Sequence, residues 1–143
     1  MDDMDRAILG ALQADARVSL ATLARRLKVA RSTVQARIER LEAQGTIAGY
    51  TVRLGAAARA SRIRATVLLT IEPRALAAIL TRLKAMPEVE VAHTTSGRFD
   101  LMLQVAAEGT AALDGVLDAV GAMTGVKASE TLVHLTTRID RAG

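Results

Sequence analysis

Apolar residues recur every three or four positions along the first 45 residues, which is the period of an amphipathic helix. The pattern predicts three short helices, at about residues 3–15, 20–27 and 31–44. Asp3 is placed to cap the first helix and Ser19 the second, and Gly45 follows the third where a left-handed C-cap is expected. Lys28 to Ala30 is long enough only for a turn. Two short helices joined by a tight turn indicate a helix-turn-helix.

After residue 62 the pattern changes to segments in which apolar and polar residues alternate, as they do in half-buried strands. The predicted elements are a strand over 63–71, a helix over 73–86, strands over 89–96 and 100–107, a helix over 110–123 and a strand over 126–137. This β-α-β-β-α-β order is that of a ferredoxin-like domain. Between the two parts, residues 50–54 alternate like a short strand, and residues 55–62 are small and weakly patterned like a linker.

An internal repeat supports this order of elements. A shift of 37 residues places six apolar residues on six others, and these pairs are Leu76/Leu113, Ile79/Val116, Leu80/Leu117, Leu83/Val120, Met86/Met123 and Val89/Val126. The match continues past each helix into the following strand, so it predicts two βαβ halves related by pseudo-symmetry.

One face of the predicted sheet has no helix to cover it. The residues expected there mix apolar with hydroxyl and amide side chains, namely Leu68, Met102, Val133, Thr66, Thr70, Gln104 and Thr131. A partly apolar sheet face without a covering helix predicts a homodimer built face to face.

Composition excludes several classes of protein. The 143 residues are 50% apolar and 24% charged, which excludes a disordered chain. The absence of cysteine excludes disulfide scaffolds and thiolate sites. The only two histidines, His93 and His134, are too far apart in the sequence for a two-histidine metal site with helical spacing, so no metal is expected. No apolar run approaches the length of about 18 residues that a membrane span needs. The acidic start is unlike a secretory signal, and we expect a soluble cytoplasmic protein.

The charge is unevenly distributed between the two parts. Residues 1–64 contain 12 Lys or Arg against 6 Asp or Glu, whereas residues 65–143 contain 7 against 9. A basic part beside an acidic one indicates that the first part meets a polyanion. The acids Asp2, Asp3 and Asp5 are interpreted as structural, because the dipole at a helix N-terminus favours them.

The outward residues of the third helix are the candidates for reading double-stranded DNA. Arg31, Ser32, Gln35 and Arg37 lie off its apolar stripe, and Arg and Gln can bind guanine and adenine edges in the major groove. Ser32 and Thr33 more often hold phosphate. Arg25, Arg26 and Arg40 are placed for contacts with backbone phosphates. For each residue alone, an ordinary exposed helix position is the alternative.

The chain resembles the Lrp/AsnC (feast/famine) transcription regulators of bacteria and archaea over nearly its whole length. In the first part the resemblance is carried by Met4-Asp5, Ile8-Leu9, Leu12, Ala16-Arg17, Leu23-Ala24, Leu27, Ser32-Thr33-Val34, Arg37-Ile38, Leu41 and the Gly45–Tyr50 segment. In the second part it is carried by Pro87-Glu88-Val89, the Ser96–Leu101 segment and Gly125-Val126. Each piece alone is weak, but their order and spacing together are specific.

The resemblance implies an α+β protein with a winged-helix-like helix-turn-helix DNA-binding domain at residues 1–50. A strand and linker at residues 51–62 would join it to a ferredoxin-like βαββαβ domain at residues 63–143, which senses an effector and oligomerises. It further implies homodimers that assemble, often to octamers. The implied function is sequence-specific regulation of transcription, modulated by an amino acid or a related small molecule at subunit interfaces.

By the same resemblance, the effector-binding residues are Ser96, Gly97, Arg98, Phe99 and Asp100. A glycine there lets backbone amides approach a ligand carboxylate, and Asp100 can pair with the ligand's ammonium group. Without the resemblance, the simpler interpretation is that Gly97 makes a turn between two strands and Asp100 accepts its hydrogen bonds. No cofactor is expected.

Three residues depart from the pattern of the resembled family. Lys28 stands where the family commonly has Gly in the turn, and Ala30 where it commonly has a Ser cap. Phe99 replaces the usual Tyr of the sensing loop, which removes a hydroxyl contact to a ligand.

Two other functions remain open from the sequence. An architectural DNA-compacting protein needs no effector, since many phosphate contacts suffice for it. An enzyme similar to the sirohaem decarboxylases would use His93, His134 and nearby basic residues, but it would leave the basic helix-turn-helix unexplained. The expected function is therefore not enzymatic.

Overall fold

Three helices form the N-terminal part of the chain in the computed structural model, which describes residues 1–141. They are α1 (Asp3–Ala14), α2 (Leu20–Leu27) and α3 (Arg31–Ala43). The apolar stripes of all three meet in one core, whose buried residues are Ile8, Leu23, Ala24, Val34 and Leu41. The predicted periodicity is therefore confirmed. Residues 1–53 make up one compact unit, which we call the helical unit.

The start of α1 differs from the prediction by one residue. Asp2, not Asp3, is the N-cap: its carboxylate accepts from the backbone N–H of Asp5 at 2.9 Å, and Asp5 accepts from the backbone N–H of Asp2. Asp3 is already helical, and its carboxylate pairs with Arg6 instead. The assignment of the cap to Asp3 was therefore wrong, because a cap needs an extended backbone, which Asp2 has.

The two helices of the helix-turn-helix begin in different ways. Ser19 caps α2 as predicted, since its hydroxyl accepts from the backbone N–H of Thr22 at 3.1 Å. Ala30 occupies the same position before α3 with nearly the same extended backbone but offers no side-chain hydrogen bond. Lys28 ends α2 in the left-handed conformation, at φ 57° and ψ 45°. Gly45, at φ +76°, follows α3 as predicted.

The segment after α3 contains no strand. Residues 49–55 are neither helical nor paired, and a short helix, α4 (Ala56–Arg59), follows. The prediction of a strand at residues 50–54, and with it the strand in the strand and linker assigned to 51–62, was wrong. The alternation of apolar residues there is real, but a strand forms only when its N–H and C=O groups meet a partner strand.

Four antiparallel strands and two helices build residues 54–141, which we call the sheet unit. The strands are β1 (Ile63–Ile71), β2 (Val89–Thr94), β3 (Leu101–Ala107) and β4 (Val126–Val133), in the order β2-β3-β1-β4. A short 3₁₀ turn, Pro73–Ala75, leads into α5 (Leu76–Lys84), and α6 (Thr110–Gly121) precedes β4. The predicted βαββαβ arrangement is confirmed. The last two residues of the predicted 63–143 domain lie outside the described residues.

The 37-residue repeat reappears in the hydrogen bonds that follow the two helices. After α5, Met86 donates to the carbonyl of Leu83 and Val89 to that of Met86; after α6, Met123 donates to Val120 and Val126 to Met123. The inward residues of both helices pack with alternate residues of β1 and β3 in one core. The two βαβ halves therefore share local geometry as well as apolar pattern.

The register of β4 corrects the predicted composition of the open sheet face. A bulge between Thr70 and Ile71 changes which side chains of β4 face the helices. Thr131 then lies beside Val67 and Val133 beside Ala65, both on the helix-covered face, so their assignment to the open face was wrong. Glu130 and Leu132 take those places, beside Leu68 and Thr66. No helix among residues 1–141 is long and apolar enough to cross a membrane.

Candidate DNA-binding and effector sites

The N-terminal half of α3 presents an exposed polar surface. Arg31, Ser32 and Gln35 are exposed, and Thr33 is half-buried at the edge of the helix. Gln35 donates from Nε2 to Oε1 of Glu39, at 3.1 Å, one turn further along. Val34 is buried beneath this surface and fixes the face that α3 turns outward. These side chains can reach a ligand without any change in the core.

Two further exposed arginines lie on the last turn of α2. Arg25 and Arg26 are both exposed, and Nη2 of Arg25 lies 3.4 Å from the hydroxyl of Thr22. Both guanidinium groups extend from the helix that precedes the turn. Neither is in a salt bridge with a described residue, so both can contact an anion beside α3 without breaking one.

Arg37 and Arg40 have a different environment, because both contact carboxylates of α1. Nη1 of Arg37 donates to Oδ2 of Asp2 and, at 3.3 Å, to Oδ1 of Asp5. Nη2 of Arg40 lies 3.2 Å from Oδ2 of Asp5. Asp5 is 2% exposed, and it is the one buried charged residue among residues 1–141. We call these four residues the aspartate–arginine cluster.

Asp2 and Arg37 keep their charges at neutral pH. The hydrogen bond from Arg37, with a second from the backbone N–H of Asp5, lowers the pKa of Asp2 to about 2. The hydrogen bonds to Asp2 and then Asp5 raise the pKa of Arg37. Because the pKa of Asp2 is depressed, its contribution to stability is complete above about pH 4 and is lost as the pH falls toward 2.

An open depression of about 460 Å³ lies along the flank of α3 that borders the cluster. Its lining residues are Ser32, Thr33, Ala36, Arg37 and Arg40. Two hydroxyls and two guanidiniums are donors suited to an anion such as a backbone phosphate.

The loop between β2 and β3 is held mainly by bonds to the backbone. The hydroxyl of Thr95 donates to the carbonyl of Phe99 at 2.7 Å, and Gly97 turns the chain at φ +107°. Asp100 donates from its backbone N–H to the carbonyl of Leu69, and its Oδ2 accepts from the backbone N–H of Ile71 at 2.9 Å. The loop is thereby anchored to the end of β1.

Arg98 extends from this loop into solvent. Its guanidinium lies 5.2 Å from the centre of the Phe99 ring, and Nη2 lies 3.8 Å from Oε2 of Glu130 on β4. The Arg98 side chain is 84% exposed, and Ser96 beside it is also exposed. The loop therefore offers a cation, a hydroxyl and a glycine turn at one surface.

Two family models match the chain. The model described as the AsnC-type helix-turn-helix domain matches residues 1–42, and the model described as the Lrp/AsnC ligand binding domain matches residues 64–143. The chain belongs to the Lrp/AsnC family. It is a transcriptional regulator of that type, with a DNA-binding helix-turn-helix and a ligand-binding domain.

Members of the family match over nearly the full chain. The regulator LrpA of Mycobacterium tuberculosis is 31% identical over 142 residues, which cover 99% of this chain and 95% of LrpA. The structure of E. coli AsnC has a TM-score of 0.89 at 26% identity and covers 99% of this chain and 97% of its own. The feast or famine regulatory protein of M. tuberculosis complexed with L-methionine has a TM-score of 0.86 at 30% identity, covering 97% and 95%.

In this Lrp/AsnC regulator, the eight predicted DNA-binding residues fall into two groups. Six lie on α2 and α3 without a carboxylate partner from the start of α1, and these are Arg25, Arg26, Arg31, Ser32, Thr33 and Gln35. Arg37 and Arg40 are paired with carboxylates of α1. Sequence reasoning assigned Asp2 and Asp5 to the helix dipole and missed these partners. Nothing in the local pattern connects them, because about 35 residues separate each pair.

Proposed function

We propose that α3 reads base edges in the major groove through Arg31 and Gln35. The observation that carries this proposal is that these two polar side chains are exposed on the N-terminal half of the second helix of the helix-turn-helix. Recognition helices commonly contact bases with that half. Arg25, Arg26, Ser32 and Thr33 then contact backbone phosphates beside α3. Two such helices of a dimer fit a palindromic site with half-sites about 34 Å apart.

An amino acid or a similar small molecule is the effector in this proposal, held at residues 96–100. Support comes from the M. tuberculosis relative, whose structure is complexed with L-methionine. The exposed loop offers Arg98 for a carboxylate and Oδ1 of Asp100 for an ammonium, because Oδ2 is the oxygen that accepts from Ile71. Phe99 contributes a ring but no hydroxyl, so the ligand is recognised at that position by apolar contact.

Self-association through the open face of the sheet completes the proposal. Leu132, 51% exposed, and Val91, 41% exposed, lie on this face with Leu68 and Met102 between them. Burying such apolar surface favours a homodimer, and dimers assemble further to octamers in the proposed active form. Effector binding then shifts the equilibrium between assemblies by favouring one of them. A monomeric mass by light scattering at micromolar concentration would contradict this part.

The function is non-enzymatic and takes place in the cytoplasm in this proposal. The relatives named above are regulators, and this weighs against a decarboxylase-like enzyme. His134, one of that enzyme's candidate residues, lies 2.8 Å from the hydroxyl of Thr66, so its ring already has a polar partner. An architectural role without effector remains the second candidate, because Arg25 and Arg26 suit phosphate contacts of any sequence.

The decisive experiment is a titration of the full chain against the DNA upstream of its own gene and a scrambled duplex. We expect tighter binding to the upstream DNA, and a mixture of amino acids should alter that binding. Gln35→Ala or Arg31→Ala should reduce the base preference at one position of the site. The control Arg26→Ala should instead weaken binding to both duplexes by the same factor. Equal binding of both duplexes by the wild type, falling steeply with salt, would favour the architectural role.

A further inference from the structure

The aspartate–arginine cluster places two carboxylates beside the helix that is proposed to meet DNA. Arg37 uses Nη1 for both Asp2 and Asp5, and Arg40 uses Nη2 for Asp5. Two aspartates and two arginines leave the cluster with no net charge. The arginines that border the anion-suited depression on α3 are thus neutralised from within the chain.

A phosphate in that depression would compete with Asp2 for Arg37. The hydroxyls of Ser32 and Thr33 line the same depression as the two guanidiniums. A carboxylate and a phosphate seek the same planar, bidentate donors of arginine. While Asp2 holds Arg37, its guanidinium is turned toward the N-terminus of α1, and its positive charge is offset by the carboxylate and attracts DNA less.

We propose that Asp2 is an internal competitor for DNA phosphate, which holds Arg37 on α1 and lowers the affinity of the regulator for DNA of any sequence. This inference rests on the proposed DNA-binding surface of α3. Asp2 acts through Arg37, so it is a positioning residue and not a contact residue. Its competition sets the strength of backbone binding and leaves base recognition to the exposed residues of α3.

The two aspartates have different roles within the cluster. The Asp5 side chain is 3% exposed and takes part in the capping box and both arginine contacts, so it is needed for the packing of α1 on α3. The Asp2 side chain is 55% exposed and can be changed without opening the core. Asn is as good an N-cap as Asp, so Asp2→Asn removes the charge while it retains the cap.

The test compares Asp2→Asn with Asp3→Asn in the full chain. Both substitutions remove one negative charge near the start of α1, but Asp3 pairs with Arg6 and not with α3. The probe is a scrambled DNA duplex, titrated at several salt concentrations, beside the upstream duplex. We expect Asp2→Asn to bind both duplexes several-fold more tightly, with a slope of log K against log salt that is steeper by about 0.9 for each additional phosphate that the variant binds. Asp3→Asn should leave the slope unchanged.

Arg37→Gln shows whether the tighter binding passes through Arg37. As a single substitution it should leave the slope of log K against log salt unchanged, because Arg37 does not contact phosphate while Asp2 holds it. Combined with Asp2→Asn, it should abolish the increase in affinity. Equal effects of Asp2→Asn and Asp3→Asn would overturn the inference, and so would a slope reduced by about 0.9 in Arg37→Gln alone.

The inference and the proposed DNA-binding surface fail in different ways. If the wild type binds DNA and Arg26→Ala reduces its salt slope, while Asp2→Asn changes nothing, then Asp2 is not a competitor and the surface stands. If the wild type binds no duplex at either low or physiological salt, both are overturned. Circular dichroism of each variant, with an unchanged spectrum at the temperature of the titration, shows that altered binding does not come from unfolding.

Discussion

The helical unit and the sheet unit each use an aspartate to fix a segment that is distant in the sequence, but the partners differ in kind. Asp5 of the helical unit is buried and binds the guanidiniums of Arg37 and Arg40 on α3. Asp100 of the sheet unit is exposed and accepts a hydrogen bond from the backbone N–H of Ile71. One connection depends on side-chain charge, and the other depends on the path of the backbone.

This difference determines how each functional surface responds to change. The orientation of the charged groups of α3 follows from ion pairs, so a single substitution on α1 can alter the surface without touching it. The 95–100 loop keeps its shape through Gly97 and several backbone bonds, and its charged groups remain available for a ligand. We therefore expect substitution of Asp5 to lower mainly the stability of the helical unit. Substitution of Asp100 should lower the effector response at a smaller loss of stability.

Asp5→Ala should have the largest effect on stability. It removes both arginine contacts and half of the capping box from a buried position, and we expect a loss of about 2–3 kcal/mol. Urea unfolding measures this loss, and native-state hydrogen exchange should locate it in α1 and α3. The matched control is Asp3→Ala, whose exposed pair with Arg6 should contribute less than about 0.5 kcal/mol. A similar loss in both variants would show that the cluster does not hold the helical unit together.

Asp100 allows the turn and the ligand contact to be tested separately. Asp100→Ala removes the acceptor for the Ile71 N–H and should cost about 1–2 kcal/mol, measured by urea unfolding. Asp100→Asn keeps an acceptor oxygen and should cost less than about 0.5 kcal/mol. If Asp100 pairs with an ammonium group, both variants should lose the effector response while retaining DNA binding. A full response in Asp100→Asn would leave the residue with the role of holding the turn.

Most elements of both units could be predicted from the sequence because each depends on nearby residues. Ser19 caps its own helix, and the alternation over Ile63–Ile71 follows from one buried face. The errors arose where a partner distant in the sequence decides the outcome. Residues 50–54 have the side-chain pattern of a strand without its hydrogen bonds, and one bulge beside Thr70 exchanges the two faces of β4.

The features of the candidate sites likewise divide into those set by nearby residues and those set by distant partners. The 96–100 loop was located through its resemblance to a family pattern, and its glycine turn is a local property. The exposure of Arg31, Ser32 and Gln35 followed from the apolar stripe of α3. The pairing of Arg37 with Asp2 did not, because long charged side chains reach partners that no periodicity marks.

The missing cap of α3 offers a smaller change, in the stabilising direction. Ala30 has φ −71° and ψ 150°, close to the φ −74° and ψ 153° with which Ser19 caps α2. Ala30→Ser should therefore supply the absent acceptor and stabilise the helical unit by about 1 kcal/mol, measured by urea unfolding. Ala36→Ser, an exposed position inside the same helix, is the control and should be destabilising by less than about 0.5 kcal/mol. Unchanged stability in Ala30→Ser would mean that water already satisfies the N-terminus of α3.

The smallest expected effect concerns how the two units turn their chains. The sheet unit uses only glycines, Gly97 and Gly125, at positive φ among its described residues, whereas the helical unit uses Lys28 besides Gly45. Lys28 is the one non-glycine residue with positive φ among residues 1–141. Left-handed backbone costs an L-residue about 1–2 kcal/mol, but a glycine also has more freedom in the unfolded chain, worth about 0.5–1 kcal/mol. We therefore expect Lys28→Gly to stabilise the protein by about 0.5 kcal/mol in urea unfolding. Lys28→Ala removes the same charge and keeps the Cβ, so it should not be stabilising; equal stability of the two variants would show that the turn carries no strain.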